Sequence, residues 1–180
     1  MPIVTRSFRT PCGELLLGAF NGKLCLCDWR YRRMRTTIDA RIRRGLQAEV
    51  EEGDAPVISG AIKQLEAYFA GERHTFDLPL RFVGTDFQQR VWKALQEIPY
   101  GATITYAELA SMVGEPSAVR AVASANGANA LSIIVPCHRV IGSDGSLTGY
   151  AGGLGAKRKL LQLEGADIVQ ATPDLFGQPG

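Results

Sequence analysis

The sequence predicts an α/β (α+β) protein: a small N-terminal antiparallel β-sheet with helices, then a mostly helical C-terminal part containing a helix-turn-helix. Three observations predict it. The first 30 residues fall into short β-like runs, residues 34–70 show helical apolar spacing, and the second half reads as a chain of short helices with capping signals. These boundaries divide the chain into an N-terminal domain of structural role at 1–80, a C-terminal domain at 81–168 and a tail at 169–180.

The runs "IVTRSF", "ELLLGAF" and "KLCLCDW" are strand-like, broken by "TPCG" and "NG", and Asn-Gly between two of them signals a hairpin. Met34 to about Leu46 turns helical, and "EEGDAP" punctuates. Val57 to Ala70 carry apolar residues at 57, 58, 61, 62, 65, 68 and 69, a helical stripe. "GERHTFDLPLRFVGTD" is an irregular connection. "TDFQQRVWKALQEI" begins a helix at Thr85 or Asp86 and ends at "PYG". "TYAELASMV" has Thr105 and Glu108 spaced as a capping box. After the turn at "GEP", a helix runs from about Ser117 to a cap at Asn126-Gly127. Two short helices joined by such a turn fit a helix-turn-helix.

Composition is that of an ordinary globular chain: 180 residues, 46% hydrophobic, 21% charged, net charge +2. No apolar run reaches membrane-spanning length, and the start lacks a signal segment, so the expectation is a cytoplasmic protein (nuclear if eukaryotic). In a reducing compartment the four cysteines, Cys12, Cys25, Cys27 and Cys137, are thiols or metal ligands rather than disulfides. Charge is uneven: "RYRRMRTTIDARIRR" holds seven arginines against one Asp, and "EVEEGD" follows with four acids. That pattern fits a solvated helix and loop, or a phosphate-contacting patch.

The chemistry-bearing stretch is "IIVPCHRVIG", residues 133–142. One reading is a buried strand, Ile133 to Val135, ending at Pro136 with an inert thiol beyond it. The other is a nucleophilic thiol at a pocket mouth with an imidazole beside it. The helix "AVRAVASANGANA" surrounds a single long side chain, Arg120, with Ala, Ser, Gly and Val. Such a helix either packs tightly in a core or lies close against a groove, without the side chains that read base edges.

"PCHRVIG", "TGYAGG", "RAVASANGAN", "IPYGATITYAELA" and "GTDFQQRVWKAL" together resemble the O6-alkylguanine-DNA alkyltransferases, the methylated-DNA–protein-cysteine methyltransferases, in their stand-alone repair form. The resemblance is close over roughly 57–165 and looser in the N-terminal β region. It implies irreversible, single-turnover transfer of an alkyl group from O6-alkylguanine in double-stranded DNA to Cys137. A thiolate suits displacement at carbon, and a free thiol, only a few per cent ionised at neutral pH, needs a base. By resemblance His138 is that base, acting through a bridging water, with Glu164 orienting it. Tyr106 donates to the guanine ring and Asn129 braces the active-site turn.

Also by resemblance, Arg120 fills the space of the flipped nucleotide, and Ala121, Ala123, Ser124, Ala125 and Gly127 with Tyr106 face the minor groove. Val140, Tyr150, Ala151 and Gly152 form the base pocket; the family often has Ser at position 151, so that side-chain contact is missing here. Some relatives hold zinc with two Cys and two His. Here Cys12, Cys25, Cys27 and His74 supply ligand types, yet Cys25 and Cys27 alternate along a strand, so neither a metal nor another cofactor is expected. The implied partner is alkylated duplex DNA, with O4-alkylthymine left open as a second substrate. No membrane and no obligate protein partner are expected, and the chain is expected to be a monomer. A non-catalytic DNA-binding relative would lack Cys137, and a cysteine hydrolase would leave "TGYAGG" unexplained. An adaptive-response regulator would carry further N-terminal modules.

Overall fold

The structure, a computed structural model, describes residues 1–168, so the tail expected at 169–180 lies outside the described residues. Strands β1 (Ile3–Thr10), β2 (Gly13–Phe20) and β3 (Lys23–Trp29) form an antiparallel meander. The Asn-Gly signal is a tight turn with both φ angles positive, 52° at Asn21 and 78° at Gly22, the conformation that matches strand twist. A fourth strand, β4 (Val50–Glu52), pairs parallel with β1 and gives the order β3-β2-β1-β4. It lies in the acidic stretch that reads from sequence only as a counterweight to the arginines. Its residues are all exposed, which suits a short charged edge strand.

Helix α1 (Arg35–Leu46) buries Ile38, Ile42 and Leu46 on one side of the sheet, with Ile3, Cys25 and Leu26. Helix α2 (Pro56–Phe69), with Pro at its first position, covers the other side with Ile58, Ala61 and Leu65, against Leu15, Leu17, Cys27 and Trp29. Cys25 and Cys27 therefore do face opposite sides of β3.

Helix α3 (Asp86–Leu95) opens with a complete capping box, Thr85 and Gln88, and turns Val91, Trp92 and Leu95 inward. A short parallel pair, β5 (Ile104–Thr105) and β6 (Val140–Ile141), anchors helix α4 (Tyr106–Met112), whose capping box is the expected Thr105 and Glu108. Helix α5 (Val119–Gly127) completes the helix-turn-helix. It starts two residues after Ser117 and runs through Gly127, because Ala128 N–H still reaches the carbonyls of Ser124 and Ala125. Helix α6 (Leu154–Leu163) closes the described chain. One continuous apolar core runs from β2 and β3 through α2 into α3, α5 and the segment around Cys137.

Candidate active site

Strand β3 builds the site from below. Cys27 N–H donates to Ala130 O at 2.8 Å, and Cys27 O accepts from Ser132 N–H at 2.7 Å, so the strand pins the segment that precedes the Pro-Cys-His-Arg turn. The buried strand read from "IIV" does not form. Ile133 adopts φ +72°, left-handed and unusual for a β-branched residue, and Ile134 N–H bonds back to Ser132 O at 2.8 Å. Such backbone costs ~1–3 kcal/mol and persists only where its surroundings enforce it. Asn129 does so: its amide donates to Val135 O at 2.9 Å and accepts from Leu131 N–H at 3.0 Å. The chain then enters one 3-10 turn, Cys137–Arg139, that faces Cys137, His138 and Arg139 inward.

Glu164 caps α6 and its side chain is wholly buried. Its Oε2 accepts from Tyr68 O–H at 2.6 Å, from His138 Nε2–H at 2.8 Å and from an Arg139 terminal nitrogen at 3.0 Å. Oε1 accepts from Arg139 Nε at 2.8 Å. Burial alone would push this carboxyl up, but the bonds from His138 and Arg139 outweigh it and hold the group at about 2. Burial pushes His138 below its ordinary value against the pull of Glu164, so the imidazole is neutral at pH 7. A carboxylate acceptor on Nε2 fixes the hydrogen there, leaving Nδ1 as the basic nitrogen. Nδ1 is buried and has no protein hydrogen-bond partner among the described residues. Burial also lifts the Cys137 thiol above its ordinary value, partly opposed by Asn129, so the resting sulfur holds its proton.

Tyr106, first residue of α4, accepts at its hydroxyl from Thr148 Oγ1 at 3.4 Å, which sets the phenol against the loop that follows β6. Tyr150 in that loop lies edge-on to His138, with ring centroids 6.4 Å apart. An open groove of ≈ 980 Å³ runs past this loop, between Tyr106 and α5 on one side and the start of α1 on the other. Arg120, Ala121, Ser124 and Gly127 share the exposed face of α5, and Ala123 is half-buried on the groove. Arg120 makes no hydrogen bond or ion pair with the described residues. Two expected residues fall elsewhere. Ala125 is buried, its carbonyl accepting from Trp92 Nε1 at 2.8 Å, so it packs the helix onto α3 and cannot meet a ligand in the groove. Val140 is fully buried in the core and its carbonyl is taken by Lys157, whereas Tyr150, Ala151 and Gly152 do line the groove.

Sequence reasoning missed Lys157 and assigned Arg139 no role. Lys157, fully buried, donates to Val140 O at 2.6 Å and Thr148 O at 2.7 Å, tying β6 and the middle of the loop that follows it to α6. Burial pushes its ammonium down to about 8, and ionisation of Cys137 would act the other way. The signal was its place in the apolar stripe Ala156, Lys157, Leu160, Leu161, where a lysine needs a buried partner. Sequence also missed the Asp28 hub. This fully buried carboxylate pairs with Arg32 at 2.9 Å and Arg35 at 3.2 Å, and accepts from Ser132 Oγ at 3.1 Å.

The seven arginines therefore do not act as one surface. Arg32 and Arg35 serve Asp28, and Arg41 donates to Val83 O while its guanidinium stacks 5.3 Å from the Trp92 ring centre. Arg30 pairs with Glu14 and Arg43 with Glu49. Arg33 and Arg44 alone of the run make no ion pair or side-chain hydrogen bond with the described residues. Burial raises the other thiols, Cys25 to about 12, with Cys12 and Cys27 also moved up. Among the described residues no group of three or more Cys, His, Asp or Glu could hold a metal ion, and His74 stacks on Tyr100 at 3.8 Å.

Two family models match the chain. The ribonuclease-like domain of 6-O-methylguanine DNA methyltransferase covers residues 3–82, and the DNA binding domain of the same family covers 86–166. The methylated-DNA–protein-cysteine methyltransferase of Mycobacterium tuberculosis is 61% identical over 111 residues, 62% of this chain and 67% of its own. The constitutive enzyme of that name from Bacillus subtilis is 58% identical over 102 residues, 57% of this chain and 62% of its own. Among solved structures, Mycobacterium tuberculosis OGT in complex with DNA superposes with TM-score 0.76 at 48% identity, covering 90% of this chain and 92% of that one. The O6-methylguanine-DNA methyltransferase of Pyrococcus kodakaraensis, 22% identical with TM-score 0.66 over 91% of this chain and 99% of its own, shares the fold.

Proposed function

The chain belongs to the 6-O-methylguanine DNA methyltransferase family, and from that premise we propose how its own residues carry out alkyl transfer from O6-alkylguanine in duplex DNA to Cys137. The observation that carries the reading is His138. With Nε2–H donated to Glu164, its other nitrogen is a buried base without a protein partner, one residue from the thiol.

The thiol is protonated at rest, so ionisation accompanies the reaction. A water between Sγ and Nδ1 relays the proton to the imidazole, and the anionic Glu164 stabilises the imidazolium that forms. The sulfur lone pair forms a bond to the alkyl carbon. The carbon–oxygen bond breaks with its electrons passing to the guanine, Tyr106 supplies a proton to the ring, and the imidazolium's proton is returned through solvent to the Tyr106 phenolate. In net terms the thiol proton ends on guanine and the alkyl group on sulfur. The product thioether has no carbonyl for water to attack, so each chain acts once.

The target atom lies inside the stack, so the nucleotide is flipped into the groove at a cost of a few kcal/mol. The small exposed face of α5 suits a close, sequence-tolerant approach to the minor groove, with Arg120 entering the vacated space. The protein works as a monomer. Incubation with duplex containing O6-methylguanine tests the reading. Intact mass should rise by one methylene per chain, mapped to the Cys137 peptide, and stop there. Continued turnover, or label on Cys12, Cys25 or Cys27, overturns it.

A further inference from the structure

The loop that closes the pocket does not stand on its own half of the molecule. It rests on a tryptophan from the N-terminal sheet. Trp29, the last residue of β3, is 4% exposed and does not line the groove, whereas Tyr150, Ala151 and Gly152 above it do. A Cβ built on Gly152 would lie 2.7–2.9 Å from three atoms of the Trp29 indole, closer than real Cβ atoms come. Gly152 is thus required by the approach of the ring. The Tyr150 ring meets the same indole edge to face, centroids 5.9 Å apart at 72°, and lies edge-on to His138 on its other side. Trp29 Nε1 and the Tyr150 hydroxyl are both buried and neither makes a well-formed hydrogen bond with the described residues, although the hydroxyl lies within reach of Trp29 and Ser132. Packing of the indole against Gly152 and the Tyr150 ring sets the distance of the loop from β3.

From this packing we propose that Trp29 is a positioning residue that sets how far the Tyr150–Gly152 loop stands into the groove, and so determines the size of alkyl group the pocket accepts. The proposal rests on the alkyl-transfer reading above and deepens it. An indole behind the loop pushes it toward the pocket and favours small groups. Removing the ring lets the loop retreat, which loosens the fit around a methyl group and makes room for a larger one. Because Tyr150 touches both Trp29 and His138, the same wedge also keeps the imidazole from swinging toward the loop.

The test compares single-turnover rates on two duplexes identical except for O6-methylguanine or O6-benzylguanine, in the full-length protein, with thermal stability measured alongside. Trp29→Leu should shift the benzyl-to-methyl rate ratio upward by ~10-fold or more, the scale at which one misplaced methylene is felt in an apolar pocket. Trp29→Phe, which keeps a ring, should recover part of the shift. Gly152→Ala pushes from the other side: with Trp29 present it should slow the benzyl substrate more than the methyl one. With Trp29→Leu it should cost little, because the clashing atoms are gone. That departure from additivity belongs to residues in direct contact. If Trp29→Leu fails to fold, Trp29→Phe and Gly152→Ala still give the ratio.

An unchanged ratio with both rates falling in step with stability makes Trp29 an ordinary core residue and overturns the proposal. Additive effects of the two substitutions overturn it as well. A wild-type chain that takes no methyl group at Cys137 refutes the alkyl-transfer reading itself, and this inference with it; a reactive wild type with an unmoved ratio refutes this inference alone.

Discussion

Replacing Glu164 with Gln removes one charge from a wholly buried carboxylate that accepts four hydrogen bonds, and nothing from its shape. A carboxyl that ordinarily titrates near 4.5 but is held at about 2 carries ~3 kcal/mol of interaction favouring its ionised form, at ~1.4 kcal/mol for each factor of ten. The amide keeps one acceptor. Placed at the Oε2 position, that oxygen still serves His138, Tyr68 and one Arg139 nitrogen, but the new NH2 then faces Arg139 Nε–H, donor against donor. The Arg139 guanidinium is left buried without a counter-charge, so the loss should reach ~3–5 kcal/mol, or roughly 6–20 °C in Tm for a chain of this size. The sign with pH follows from the lowered value. The Glu164 contribution is fully present above about 4.5 and disappears as pH falls toward 2, so wild type and E164Q should converge in stability across that window. Chemistry suffers separately, because a neutral amide cannot stabilise an imidazolium. Single-turnover transfer at neutral pH should slow by ~10²–10⁴, the usual worth of a general base, while damaged-duplex affinity by anisotropy is kept. Raising the pH should recover part of the rate by ionising Cys137 without the base. E164Q reacting at the wild-type rate at pH 7, with Tm unchanged, would refute both the base assignment and the buried-charge argument.

Arg120→Ala should slow repair of duplex DNA strongly yet react nearly normally with free O6-alkylguanine base, since flipping costs a few kcal/mol and each 1.4 is about tenfold; equal reductions on both substrates in a folded variant would move the flipping role elsewhere. Changing Arg33 and Arg44 together to Ser should lower the slope of log affinity against log salt, by about one for each phosphate no longer neutralised. Arg41→Ser should instead lower Tm, because Arg41 is committed to Val83 and Trp92; a slope moved only by Arg41 reverses that division. Lys157→Met removes one charge-assisted bond to β6 and one to the loop after it, each worth ~1.5–3 kcal/mol, and should slow transfer while increasing proteolysis between Thr148 and Gly153. Unaltered cleavage and rate would show that the loop does not need its tie.

What could be read from the chain alone was local. Capping boxes at Thr85 and Thr105, the Asn-Gly turn and the alternation of β3 are patterns within a few residues, and the helices and turn they mark begin where expected, although α3 ends at Leu95 rather than at Ile98. The reactive motif was legible because Pro-Cys-His-Arg is contiguous, whereas Glu164 could be picked out only through the family resemblance. Hidden were the pairs that join distant positions. Asp28 meets Ser132 across 104 residues, and Tyr68 meets Glu164 across 96. No periodicity encodes such contacts, which the topology creates by laying β3 and α2 beneath the turn. The strand that was one reading of Ile133–Val135 does not form for a related reason: β-propensity describes what those residues prefer in a pleated sheet, and the Asn129 brace imposes a left-handed backbone instead.

The continuous core has a consequence for how the molecule comes apart. Leu15, Leu17 and Trp29 from the sheet share one cluster with Leu95, Val122 and Val135, so no plane through the protein separates its halves without exposing the interior of both. Heating should therefore produce one cooperative transition, with equal calorimetric and van't Hoff enthalpies, and excision of the first 80 residues should leave a fragment that collapses without fixed side-chain packing. Two domain families meet in this chain at residues 82 and 86, yet their shared core predicts a single unfolding unit. A substitution in the sheet, far from any base, then reaches repair capacity through the fraction of molecules folded at a given moment. For a protein consumed one molecule per lesion, that fraction is the size of the usable pool.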